Sequence, residues 1–209
     1  MRSSVENVRL ICIDIDGTLL DSAGEIPAAT HRELERLHAA GRTLALVTGR
    51  RFVSAMDIAR QLTVPVLLGV HNGAALRNLD GSAVYRKTLG AADVRRACAL
   101  GKANGGFPWI YVDEPDNGDS RIFCEDPGAA PEGVRQFATT YHARNTQYFW
   151  VLGDVTADLN TDAVEVMVTT TAADANAMVD LLTAEFGDRA SVIKELSSGV
   201  AQIEPAHPD

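Results

Sequence analysis

The 209-residue sequence predicts an α/β fold: a Rossmann-like parallel sheet at the N-terminal end, followed by a second unit of α+β character. Three observations carry that expectation. Short apolar runs of strand type alternate with helical patterns through residue 75. The unusual residues in this stretch fall where each apolar run ends, which is where open α/β sheets place their ligands. Charge is unevenly spread: residues 1–85 hold nine Asp/Glu and nine Lys/Arg, whereas residues 86–209 hold nineteen and ten, so the whole net charge of -9 lies in the second part.

Residues 8–15, VRLICIDI, form a nearly unbroken apolar run ending in acids, which predicts a strand buried on both faces of a parallel sheet. From Pro27 to Gly41, Leu34 and Leu37 share one face and the glycine supplies a stop, so a helix is predicted. Thr43–Val47 is a second apolar strand. Phe52 to Leu62 places Val53, Met56, Ala59 and Leu62 on one stripe, and a third strand is expected at Val66–Val70. Parallel neighbours need crossovers of this kind, and such crossovers are right-handed.

Beyond a turn at Asn78–Ser82 the rhythm changes. A helix is expected at Ala91–Ala103, then a hairpin from Trp109–Val112 to Arg121–Cys124 around a solvated acidic loop, Asp113 to Asp119. A helix at Glu132–Tyr141, a strand at Val164–Thr169 and a helix at Ala173–Phe186 follow. Two short strands, Val192–Glu195 and Val200–Glu204, end the pattern.

The acidic balance argues against nucleic acid or an anionic membrane as partner. The longest apolar run, Val64–Val70, is interrupted by Pro65 and Gly69 and is too short to cross a bilayer, and the first residues have no signal-peptide character. A cytoplasmic location is therefore expected. Cys12, Cys98 and Cys124 lack metal-ligand spacing and are read as buried free thiols.

The strongest chemical signal is Asp14-Ile15-Asp16-Gly17-Thr18-Leu19. Two carboxylates two positions apart leave a strand on the same side, and their repulsion is relieved by a cation or by protonating one of them. That suits Mg2+ held by Asp14 and Asp16. A metal-held carboxylate can attack phosphorus, and a neighbour of raised pKa can protonate a leaving oxygen. Gly17 permits the tight turn and Thr18 can hydrogen-bond within it.

This stretch resembles the first motif of the haloacid dehalogenase (HAD) superfamily of phosphatases. The resemblance implies that Asp14 is the nucleophile that becomes aspartyl-phosphate and Asp16 the general acid/base, its backbone carbonyl also reaching the metal. The second strand ends Thr48-Gly49-Arg50, which is similar to the family's second motif: Thr48 would bind the phosphoryl group with the N–H groups of its turn. Arg50 would touch substrate or pair on the surface. The third ends His71-Asn72-Gly73-Ala74, similar to a signature of the Cof-like, subfamily IIB branch, in which Asn72 lines the active site or forms a plain Asn-Gly turn. His71 is read as a neighbour.

By the same resemblance residues 1–85 are the HAD-like core, 86–198 an inserted α+β cap domain and 199–209 a strand returning to the core. The family pattern continues with a lysine and a Gly-Asp-x-x-x-Asp stretch, neither of which follows here, and Lys87, Lys102 and Lys194 stand in other contexts. The core is accordingly expected to be incomplete at the C-terminus, with an exposed edge that favours homo-oligomers. The function implied is a magnesium-dependent phosphatase of small, sugar-phosphate-like metabolites. The alternatives are a phosphomutase relative and a non-catalytic phosphate-binding or regulatory module. A receiver-like domain would need its acceptor aspartate where this chain has Val70-His71-Asn72.

Overall fold

The computed structural model describes residues 8–114, 119–194 and 200–205, which divide into two compact units, one ending at Arg86 and the other beginning at Lys87. The first contains strands β1 (Leu10–Asp14), β2 (Thr43–Val47) and β3 (Leu67–Val70), paired in parallel in that order. Strands β4 (Ala75–Arg77) and β5 (Ala83–Arg86) extend the sheet antiparallel beyond β3.

Helix α1 (Ala28–Ala39) joins β1 to β2, and α2 (Phe52–Ala59) joins β2 to β3. Helix α1 opens after Pro27, whose φ is pre-set for a helix start. Its end is closed by Gly41 at φ 77°, where Gly41 N–H donates to His38 and Arg42 N–H to Leu37. That is the Schellman arrangement, and it needs a residue without a Cβ penalty in the left-handed region. Leu34, Leu46, Phe52, Met56 and Leu68 form the buried core of this unit.

Strand β1 differs from the expectation of burial on both faces. Ile11 and Ile13 pack against the core, but Leu10 is 51% exposed and Cys12 is exposed as well. The reason is position: β1 stands at one end of the strand order. Of the three cysteines, only Cys98 and Cys124 are the buried thiols the sequence suggested.

The second unit is a six-stranded sheet ordered β10-β11-β9-β6-β7-β8, with β6 (Phe107–Glu114), β7 (Asp119–Cys124), β8 (Phe149–Val151), β9 (Glu165–Thr169), β10 (Ala190–Lys194) and β11 (Val200–Pro205). Alternation along the strands sends Ile110, Val112, Val166, Val168 and Ile203 into one core, shared with Val94 and Cys98 of α3 (Ala91–Ala103) and Leu182 of α5 (Ala175–Phe186). On the other face Trp109 meets Tyr141 of α4 (Glu132–Arg144) edge to face, and its indole N–H donates to Thr169 Oγ1 at 2.9 Å.

Two further expectations are corrected here. Val200–Pro205 does not return to the first sheet: it pairs antiparallel with both β9 and β10. Its alternating Ala201 and Ile203 fit the apolar core of the second unit, and their place there joins β10 to the rest of the sheet. Asp113 is not in a solvated loop. It lies in β6 and is fully buried, while residues 115–118 of the predicted loop, Glu195 and residues 206–209 lie outside the described residues. Among the described residues no helix is long and apolar enough to cross a membrane.

Candidate active site

The site is built where β1, β2 and β3 end. After Asp14 the chain makes one wide turn over Ile15–Leu19, closed by Leu20 N–H donating to the Ile15 carbonyl at 3.1 Å. Gly17 sits at φ 80°, a conformation glycine adopts freely. Ile15 and Leu19 are buried and pin the turn, so Asp14, Asp16, Gly17 and Thr18 are held out in solvent.

At the end of β2, Thr48 N–H donates to the Gly69 carbonyl at 2.9 Å, continuing the ladder one residue past the strand. The Thr48 side chain is buried to 8% exposure, and its hydroxyl oxygen accepts the Arg50 N–H at 3.1 Å. The hydroxyl proton is thereby left to point elsewhere. Two residues of the β3 exit then bind this loop through the main chain: His71 N–H donates to the Arg50 carbonyl at 3.0 Å, and Asn72 N–H to the Thr48 carbonyl at 3.1 Å.

These strand ends enclose an open cavity of about 430 Å³, walled by Asp14, Thr48, Gly49, Gly69, Asn72 and Gly73. A Cβ at Gly49 would meet Asn72 Oδ1, the end of an exposed side chain, at 2.6 Å, so the Asn72 amide would have to turn aside to make room for it. Asp16, Gly17, Thr18 and Arg50 stand outside this wall.

Asp16 and Arg50 form a bidentate pair, with Arg50 Nε 2.8 Å from Oδ2 and Nη2 2.6 Å from Oδ1. The guanidinium hydrogen bonds hold the Asp16 carboxyl below the usual carboxylate range, opposed by partial burial and aided by the charge of Arg50. The raised pKa that a general acid requires is therefore not met in this arrangement; the group is held ionised. Each oxygen of Asp16 also accepts one guanidinium hydrogen bond, so the carboxylate is turned toward Arg50 in this arrangement. Asp14 remains the one carboxylate in the cavity wall, and among the described residues no group of three or more His, Cys, Asp or Glu could hold a metal.

Such a donor set is sparse, but it fits magnesium, which keeps several waters and commonly takes one or two carboxylates together with substrate phosphate oxygens. Of the lysines, Lys102 is engaged by Glu125 and Asp154, and Lys194 Nζ is 2.7 Å from Asn176 Oδ1, both within the second unit. Sequence reasoning passed over His71, which is fully buried beside Asn72 with φ at 50°. No pattern in the sequence marks a histidine for that conformation, whereas an Asn-Gly pair does suggest one.

The chain is similar to the HMP-PP phosphatase of Cronobacter sakazakii, at 32% identity over 81 residues that make up 39% of this chain and 30% of that protein. It thus spans less than a third of the length of that relative. In structure it is similar to TM0651 from Thermotoga maritima, with a TM-score of 0.74 at 17% identity over 97% of this chain and 71% of that one. It is also similar to the HAD subclass IIB sugar phosphatase BT4131, with a TM-score of 0.64 at 15% identity over 95% of this chain and 70% of the other. At these identities the two structures speak to the fold, and it is the match over residues 11–207 to the haloacid dehalogenase-like hydrolases that decides membership: the chain belongs to that family.

Proposed function

We propose that the chain is a magnesium-dependent phosphatase of small phosphorylated metabolites of the sugar-phosphate class, working through an aspartyl-phosphate on Asp14. The observation that supports this best is the pairing of two groups in one cavity: the Asp14 carboxylate, and a Thr48 hydroxyl whose oxygen already accepts the Arg50 N–H, so that its proton is available to a phosphoryl oxygen. The names of the similar proteins, a phosphatase and a sugar phosphatase, support the same class.

In the first step an Asp14 oxygen forms a bond to phosphorus, and the bond from phosphorus to the leaving oxygen breaks with its electron pair. Thr48, with Asn72 beside it, orients the phosphoryl oxygens. In the second step water attacks phosphorus, the Asp14–phosphorus bond breaks and phosphate leaves. Asp16, ionised by Arg50, is set to take the proton of that water, and the proton so gained is the one a leaving oxygen needs in the next turnover. The Asp16–Arg50 pair must open for Asp16 to carry it. A magnesium ion bound at Asp14 would neutralise phosphate charge and polarise phosphorus.

The test is magnesium-dependent hydrolysis of p-nitrophenyl phosphate by the purified chain, its intact mass measured first, with Asp14→Asn beside it. Loss of turnover by about a thousandfold or more in the variant is expected, as for removal of a covalent nucleophile. Undiminished turnover in Asp14→Asn would sink the reading. A second reading, a phosphate-binding module without turnover, is favoured by the engaged state of Asp16. Magnesium-dependent phosphate binding without hydrolysis would select it.

A further inference from the structure

The exit of β3 holds two consecutive residues other than glycine in the left-handed region, His71 at φ 50° and Asn72 at φ 51°. Asparagine tolerates this conformation well, and any residue with a side chain, histidine included, adopts it less freely than glycine. Such a conformation persists where the surroundings hold the residue there. The His71 ring is fully buried, while Asn72 and Gly73 on its C-terminal side are exposed.

What the strained pair accomplishes is visible in its main chain. The N–H groups of His71 and Asn72 reach the carbonyls of Arg50 and Thr48. The Ala74 N–H closes the turn on the His71 carbonyl at 2.9 Å. The loop so gripped is anchored at Thr48, which is buried and bonded to the Gly69 carbonyl, while Gly49 is exposed and Arg50 half-buried.

We infer that His71 is a positioning residue, its buried ring anchoring a strained turn that holds the Thr48–Arg50 loop in register with Asp14. It acts through Thr48 and Arg50 and does not touch substrate. The inference rests on the reading of this cavity as a phosphoryl site, and its test keeps the two apart.

Binding of inorganic phosphate in the presence of magnesium is measured by titration calorimetry for the wild-type chain, His71→Gly and His71→Asn, along with KM and kcat for p-nitrophenyl phosphate and the thermal midpoint. Glycine and asparagine both accept a φ near +50°, so the two variants remove the ring while keeping the backbone within reach. Phosphate affinity is expected to fall about tenfold to a hundredfold in both, with KM rising in parallel, the size expected when a binding group is misplaced by about an ångström. A merely structural role would lower the thermal midpoint and leave affinity alone. Affinity within about twofold of wild type in either folded variant would overturn the inference while leaving the phosphatase reading intact. So would failure of both variants to fold, which would make the ring a requirement of the core and not of the loop. A wild-type chain that binds no phosphate would remove the reading of the cavity, and the inference with it.

Discussion

Asp16 illustrates how a single partner changes what a residue can do. Two acids close in sequence suggest that one is driven to hold a proton, yet the Arg50 guanidinium lies on Asp16 and favours its charged form. The depressed pKa means that the pair stabilises the fold at pH values above the unfolded carboxyl value of about 3.9, and that this contribution is lost as pH falls through the lower folded value. Its size is small, because the Asp16 side chain is 58% exposed and water screens the pair. Arg50→Ala is therefore expected to cost no more than about 1 kcal/mol at neutral pH, shrinking to nothing in acid. Urea unfolding of both proteins across that range checks it; a penalty that persists unchanged in acid would show that Arg50 stabilises by some other contact.

At the scale of the element, legibility followed the length and regularity of the pattern. Helix α3 occupies Ala91–Ala103 as its apolar spacing foretold, and β2 occupies Thr43–Val47. Strands β4 and β8 have three residues each, too few for alternation to be recognised, and both were missed. Strand β11 was recognised as a strand but given to the wrong sheet, because apolar alternation says which residues are buried and not which neighbour they meet. At the site, the turn chemistry of Gly17 and the Asn72–Gly73 pair was readable, but the Arg50–Asp16 contact joins residues 34 apart and no local pattern announces it. Packing between elements is likewise invisible in sequence, and Gly101 shows the consequence. A glycine inside a helix ordinarily invites replacement by alanine, for a gain of up to about 1 kcal/mol. Here the added Cβ would stand 2.9 Å and 3.1 Å from the two methyl groups of Val168 on β9. A valine in a strand has little rotamer freedom with which to yield. Gly101→Ala is thus expected to destabilise by about 1–2 kcal/mol, the cost of overpacking exceeding the gain in propensity. In a Val168→Ala background the same change should be neutral or stabilising. Denaturant unfolding of the four proteins in that cycle measures the coupling directly; a Gly101→Ala protein more stable than wild type would show that α3 and β9 do not pack as closely as described.

The whole molecule has two buried clusters that share no residue, one confined to residues 15–75 and the other to residues 89–203. In the second unit α3 and α5 cover one face of the sheet and α4 packs against the other, so its buried apolar side chains have partners within that unit. A polypeptide of residues 87–209 should therefore fold alone, with one cooperative thermal transition. It carries nineteen acidic against nine basic residues, a net charge that also favours solubility. Residues 1–86 are balanced in charge, with nine acidic and ten basic residues, and present Leu10 and Cys12 of the end strand to solvent. An exposed apolar strand edge is a template for association. That piece is expected to bind a hydrophobic dye, to unfold over a broad range and to aggregate at concentrations where residues 87–209 remain monomeric. Circular dichroism melts and light scattering on the two pieces decide the matter. Broad, non-cooperative melting of residues 87–209 would mean that the second core is not self-sufficient. A sharply melting, dye-free 1–86 piece would mean that the exposed face of β1 is no liability, and that the first unit needs nothing laid over it in order to hold Asp14, Thr48 and Asn72 in place.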